Sequence, residues 1–214
     1  MPSFILNDKF ITKSSKERLY RLDTAVIGLT GGIATGKSTA SEILLKLGHL
    51  VIDADKLVKS IYNSDESIAF ITKIAPMCVE HGKINFRSLR EIFFKEIKLK
   101  EQIEKYIYPK LREEFLKEVP SGNTKVIFYD APILFERGLD KLVDQTLLIY
   151  APKELQIQRL TQRDSIDGIL AEKILSNQQS IEEKKKKADF VIENTQDIKH
   201  LEHDLESLLT KITV

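Results

Sequence analysis

Short, nearly unbroken apolar runs alternate with longer stretches of helical periodicity along this chain. Ala25-Val26-Ile27-Gly28-Leu29, Leu50-Val51-Ile52-Asp53, Val126-Ile127-Phe128-Tyr129-Asp130, Thr146-Leu147-Leu148-Ile149-Tyr150 and Phe190-Val191-Ile192 are the runs. Apolar on both alternating faces, they read as strands covered on two sides, as in a parallel sheet. Behind the first, Ser38 to Leu47 puts Ile43, Leu44 and Leu47 on one helical face before Gly48 stops it. Strand, helix, strand repeated with right-handed crossovers predicts a doubly wound α/β fold around a five-stranded parallel sheet, with ligands gathering at the carboxyl ends of its strands.

The second and third strands are separated by far more chain than the 2–6 residues usual in α/β connections. Residues 63–118 are mostly helical in pattern: Leu89, Ile92, Phe93, Ile97, then Ile103, Ile107, Leu111 and Phe115 recur at three- to four-residue spacing. The expectation is a helical cap inserted into a core of residues 25–62 and 119–214, with an apolar seam of its own. Most of that stripe is ordinary packing. Residues 1–24 interrupt Phe4-Ile5-Leu6 and Phe10-Ile11 with charge and read as an appended, mobile arm.

Composition narrows the class without choosing a function. Of 214 residues 42% are hydrophobic, enough for a substantial core, and 33 basic against 32 acidic residues leave a net charge of +1. Nucleic acid, bound mainly through excess positive charge, is a poor partner for such a chain. Cys78 is the only cysteine, so no intrachain disulfide exists and a reducing cytoplasmic setting fits best. The four histidines show no zinc-site spacing, and no apolar stretch approaches the roughly 20 residues that span a bilayer.

The sharpest signal is Gly31-Gly32-Ile33-Ala34-Thr35-Gly36-Lys37-Ser38, which reads G-x-x-x-x-G-K-S between the first strand and the first helix. In that context it is a phosphate-binding loop. Backbone N–H groups from Ala34 to Thr39 can turn around a di- or triphosphate, Lys37 can reach its β and γ oxygens, and the Ser38 hydroxyl can ligate Mg²⁺. The helix behind presents its positive end to the anion.

Other candidates cluster at strand ends. Asp53 and Asp55 close the second strand; one orients an acceptor hydroxyl or metal while the other caps the following helix, and Asp55 is assigned the catalytic role. Asp130 ends an apolar strand as a Walker B carboxylate does, a second Mg²⁺ ligand, and Pro132 and Leu134 can line a substrate wall. Arg159 and Arg163, four residues apart on one helical face, can close on a transferring phosphoryl group as part of a lid over residues 159–187; the bland alternative is a solvated face paired with Glu154 and Asp164. Lys184 to Lys187 reads as a solvated helix end, and His200 and His203 as decoration of an exposed face.

Taken together, these segments resemble the dephospho-CoA kinase family from Ala25 to about Gln196. The resemblance rests on Leu29 to Thr39, on Val51-Ile52-Asp53-Ala54-Asp55, on Asp130-Ala131-Pro132-Ile133-Leu134-Phe135-Glu136, on Gln158 to Asp164, and on Ala188-Asp189-Phe190-Val191-Ile192-Glu193-Asn194. It implies a P-loop kinase fold, ATP and Mg²⁺ as cofactors, and phosphoryl transfer to the ribose 3′-hydroxyl of dephospho-CoA. Nucleotide would be held by Gly31, Gly32, Ala34, Thr35, Gly36, Lys37, Ser38, Thr39 and Asn194. The acceptor would meet Asp53, Asp55, Tyr108, Asp130, Pro132 and Leu134. The implied protein is a monomer or weak homo-oligomer acting on a small molecule, with neither nucleic acid nor membrane as partner. Tyr108-Pro109 stands where the family usually has His-Pro, Phe86 where it usually has an arginine, and the arm is additional; these departures bear on acceptor affinity. The rivals are another P-loop nucleoside or nucleotide kinase and a non-catalytic nucleotide switch, although neither N-K-x-D nor D-x-x-G, the marks of a GTP switch, occurs.

Overall fold

The computed structural model describes residues 4–120 and 126–214, apart from the side chains of Arg90, Phe93 and Phe94. The part of the expected cap stripe that falls on Phe93 therefore lies outside the described side chains. The chain forms two compact units: one from the residues up to Ile52 and from Val126 onward, the other Asp53–Pro120.

The first unit is built on the expected sheet. Strand β1 (Ala25–Gly31) pairs in parallel with β5 (Val126–Asp130) on one side and β6 (Gln145–Tyr150) on the other; β6 continues to β7 (Phe190–Glu193), and β2 (Leu50–Asp53) lies beyond β5, giving the order β2-β5-β1-β6-β7. The carboxyl end of β1 is thus flanked by those of β5 and β6, where the strand order reverses and ligands bind in such sheets. Every residue of β1, β5 and β6 is buried, as their continuous apolar runs demand. Helix α1 (Lys37–Lys46) follows β1, and α9 (Ile198–Ile212) follows β7; Leu44 from the first and Leu201, Leu205 and Leu209 from the second pack with Ile27, Leu29, Phe128 and Leu147 in one core. Between β6 and β7 run α6 (Lys153–Asp164), α7 (Gly168–Leu175) and α8 (Ile181–Lys187).

The arm contradicts the expectation of mobility over its described residues, 4–24. Leu6 is buried in the main core and pairs with Thr213 across an antiparallel bridge, flanked by Asn7 N–H to the Ile212 carbonyl (2.8 Å) and Val214 N–H to the Ile5 carbonyl (2.9 Å). Phe10 packs edge-on against Phe190. Arg18 is buried against Asp144, just before β6. That carboxylate accepts N–H bonds from Thr12, Lys13 and Val26 and two more from the guanidinium, through Nε and Nη2, while Arg18 also donates to the carbonyls of Lys13, Leu22 and Asp23. A buried ion pair persists only when its hydrogen bonds are filled in this way.

The second unit holds α2 (Ala54–Tyr62), α3 (Asp65–Ile74), a hairpin of β3 (Val79–Glu80) and β4 (Lys83–Ile84), α4 (Phe86–Lys95) and α5 (Ile97–Glu118), which runs through Pro109. Ile61, Tyr62, Ile71, Cys78, Ile84, Leu89, Ile103 and Ile107 make its core, and Phe70 stacks on Tyr106 at 3.9 Å. The hairpin was not anticipated by the helical pattern; His81 and Gly82 both take positive φ at its turn, the geometry that keeps two-residue hairpins in register. Ile97 departs from the expected seam: as the first residue of α5 it is 71% exposed.

Candidate active site

At Gly36, the N-cap of α1, φ is +91°, and a Cβ there would overlap the Asn194 side-chain amide. Only glycine meets both conditions. The Asn194 Nδ2 donates to the Thr35 carbonyl (2.9 Å), the Thr35 hydroxyl donates back to the Gly32 carbonyl (2.9 Å), and Ala34 is held at φ +61°. Asn194 itself is fixed to the sheet by its N–H bond to the Tyr150 carbonyl (2.8 Å). The loop from Gly31 to Lys37 is therefore shaped from outside as well as by its own glycines.

Arg159 reaches this brace from α6. Its Nη2 donates to the Asn194 carbonyl (2.9 Å) and its Nη1 lies 3.5 Å from the Ala34 carbonyl. Arg163, four residues on, is exposed and paired through Nε and Nη2 with Asp164 at 2.7 and 2.9 Å. The structure thus brings one predicted arginine to the loop and gives the other a neighbour on its own helix end; the link between Arg163 and Asp164 holds the guanidinium even more firmly protonated than usual.

At the carboxyl end of β5, Asp130 is almost fully buried and joined to α1 twice. One oxygen pairs with the Lys37 ammonium, and the other accepts the Ser41 hydroxyl at 2.6 Å. Lys37 and Ser41 are one helical turn apart, so one face of α1 meets the carboxylate. Ser38, in the same first turn, is solvent-exposed. A lysine ammonium has three donors, so the pair with Asp130 leaves others for phosphate oxygens. A hydroxyl and a carboxylate are also the hard oxygen donors that Mg²⁺ takes alongside nucleotide phosphates and water. Ser38 and Asp130 are donors of that type.

One expected acceptor residue turns out differently. Leu134 is fully buried, its Cδ2 2.7 Å from where a Cβ on Gly28 would stand, so it fills the space a glycine leaves in β1 and offers no surface as a substrate wall. Pro132 is half-buried, and its carbonyl accepts from the Thr30 hydroxyl (3.3 Å) and from Lys184 Nζ (2.7 Å). In the second unit, Asp53 is the N-cap of α2, accepting from Lys56 N–H at 3.0 Å, and Asp55 lies in the first turn of that helix. Phe86 opens α4 beside the Asn85 cap and packs edge-on against Tyr62 at 5.6 Å, while Tyr108 is half-exposed on α5.

Three residues of consequence escaped the sequence reading. Ser41 could have been found by adding one turn to Lys37. Asp144 and Lys184 carry no local signal, because their partners lie far along the chain; Lys184 is fully buried on α8, where a solvated helix end was expected.

Comparison with known proteins agrees with this geometry. The family model described as dephospho-CoA kinase matches residues 25–200. A dephospho-CoA kinase of Fusobacterium nucleatum is 43% identical over 182 residues, covering 82% of this chain and 92% of the relative; one from Bacillus licheniformis is 36% identical, covering 87% and 96%. Among solved structures, a Thermus thermophilus protein superposes with a TM-score of 0.78 at 29% identity, covering 89% of this chain and 99% of that one. A dephospho-CoA kinase from Campylobacter jejuni gives 0.56 at 31% identity over 89% and 98%. With its P-loop kinase sheet, its loop and the match over most of its length, the chain belongs to the dephospho-CoA kinase family of ATP-dependent kinases.

Proposed function

We propose that this chain transfers the γ-phosphoryl group of ATP to the 3′-hydroxyl of the dephospho-CoA ribose, and that the Lys37–Asp130–Ser41 cluster at the end of β1 and β5 is the centre around which transfer takes place. That cluster carries the reading, because it joins the loop expected to bind phosphate to a buried carboxylate at the sheet's switch point. Backbone N–H groups from Ala34 to Thr39, at the positive end of α1, bind the phosphates, and Lys37 follows the negative charge as it moves. Ser38 and Asp130 would hold Mg²⁺, which supplies Lewis-acid neutralisation of phosphate charge. Asp55 orients the acceptor hydroxyl; a loose phosphoryl-transfer transition state asks for orientation more than for a strong base. Arg159 and Asn194 keep the loop's carbonyls turned outward so that its N–H groups face the anion, and Arg163 serves as the lid's movable cation.

In this reading the chain is a cytosolic monomer or weak oligomer acting on a small molecule. Among the described residues no helix is long and apolar enough to cross a membrane. The test is a panel of acceptor alcohols, nucleosides and nucleotides with ATP and Mg²⁺, read by mass spectrometry for an added phosphate. Phosphorylated dephospho-CoA as the preferred product supports the proposal. Preference for another acceptor overturns it.

A further inference from the structure

Lys184 is a charged side chain with no solvent contact, and the phosphate loop and its metal ligands make no use of it. Its ammonium donates to the Pro132 carbonyl (2.7 Å) and pairs with Glu136 Oε1 (2.8 Å). Both acceptors belong to the turn that leaves β5 immediately after Asp130. The Pro132 carbonyl takes a second bond from the Thr30 hydroxyl, one residue before the phosphate loop, and Glu136 also accepts the Gln179 N–H at 3.2 Å, just ahead of α8. One turn before Lys184, Ile181 places its Cδ1 3.4 Å from where a Gly32 Cβ would stand. The buried face of α8 thus touches the first residues of the loop with one side chain and the Asp130–Glu136 turn with the next.

Burying an ammonium costs several kcal/mol unless its donors are filled and its charge matched. A leucine or methionine would pack there without that cost, so packing alone does not account for a lysine. What a lysine adds is direction: it fixes a carbonyl two residues from Asp130 by a charge-assisted bond. We infer that Lys184 is a positioning residue for phosphoryl transfer, holding the Asp130–Glu136 turn so that the Asp130 carboxylate stays aligned with Lys37, with Thr30 as the second anchor on the same carbonyl. The inference rests on the role proposed above for Asp130. Groups that support a catalytic carboxylate from behind typically contribute 10- to 100-fold to activity or metal affinity.

The test uses the full chain and two variants, Lys184→Met and Thr30→Val, studied after the wild type has been shown to phosphorylate its acceptor. Lys184→Met is expected to lower kcat at least tenfold at saturating substrates, to leave ATP affinity in EDTA within threefold by calorimetry, and to raise the Mg²⁺ concentration for half-maximal rate. Thr30→Val keeps its shape and the Lys184 bond; it is expected to lower kcat about threefold, and the double variant to lose less than the product of the two because both act on one carbonyl. A folded Lys184→Met protein with kcat within twofold of wild type overturns the inference, as does a loss confined to ATP affinity. If Lys184→Met does not fold, Thr30→Val decides: kcat within twofold overturns the inference, and a threefold loss with ATP affinity retained supports it. A wild type inactive on dephospho-CoA but active on another alcohol would sink the proposed substrate while leaving the Lys184 measurements meaningful.

Discussion

Lys37 shows how one side chain is prepared for two partners. Asp130 anchors its ammonium, and in the proposed reaction the remaining donors meet the oxygens that gain charge as the phosphoryl group moves. Removing one donor aimed at developing charge commonly costs a hundred- to a thousandfold in rate, so Lys37→Ala should lower kcat by about 10²–10³ in a coupled assay at saturating substrates. Unchanged turnover would count against the assigned role. Asp55→Asn should separate binding from transfer: calorimetric ATP affinity stays near wild type while turnover drops. At Gly36, where φ is +91° and the Asn194 amide occupies the space of a Cβ, the cost of Gly36→Ala falls on the loop itself. The loop was legible from eight consecutive residues because each acts through its own backbone or its neighbours'. Leu134 was misread because a buried leucine and a pocket leucine look alike in sequence, and the difference lies in Gly28, more than a hundred residues earlier.

At the level of elements, the arm is the feature that sequence reading handled worst. Its charged residues suggested an appended, mobile arm, yet Arg18 and Asp144 are partners across 126 positions and both are buried. Breaking a buried pair by deleting one side leaves an uncompensated charge, typically a loss of 3–5 kcal/mol. Arg18→Met should therefore lower the unfolding free energy read from urea titration by an amount of that order, with the KM for ATP unmoved, since Asp144 and Val26 lie at the amino ends of β6 and β1, away from the loop. An unfolding free energy within about 0.5 kcal/mol of wild type would show that the arm adds little. The strands, by contrast, were readable to within a residue or two: each is short, apolar on both faces and bounded by polar residues, so local pattern and tertiary burial agree. The β3–β4 hairpin was missed because two-residue strands carry no periodicity, and only His81-Gly82 hinted at it.

Across the molecule, stability should carry a specific acid sensitivity. His49, 5% exposed, has both ring nitrogens buried without a hydrogen-bond partner among the described residues and sits between Phe4 and Phe128. Burial pushes its pKa down from 6.5 to about 4. The unfolded chain then takes up a proton as pH falls through 6.5 while the folded chain does not until about 4. Stability is full above the higher value and falls between the two, by about 3 kcal/mol at the lower end. Urea titrations at pH 7.5, 6 and 5 should show this decline, and His49→Leu should flatten it. The exposed carboxylates with lowered pKa, such as Asp164 and Asp197, release stability only in more acidic solution, because their unfolded values are near 3.8.

The meeting of Ile5, Leu6 and Asn7 with Ile212, Thr213 and Val214 has a consequence for biosynthesis. Leu6 precedes Thr213 by more than two hundred positions, so this segment finds its partners only once the intervening chain has been made. The core that Leu6 enters stays incomplete until α9 has been made. Closure of this core is in that respect a late step, joining its most distant segments.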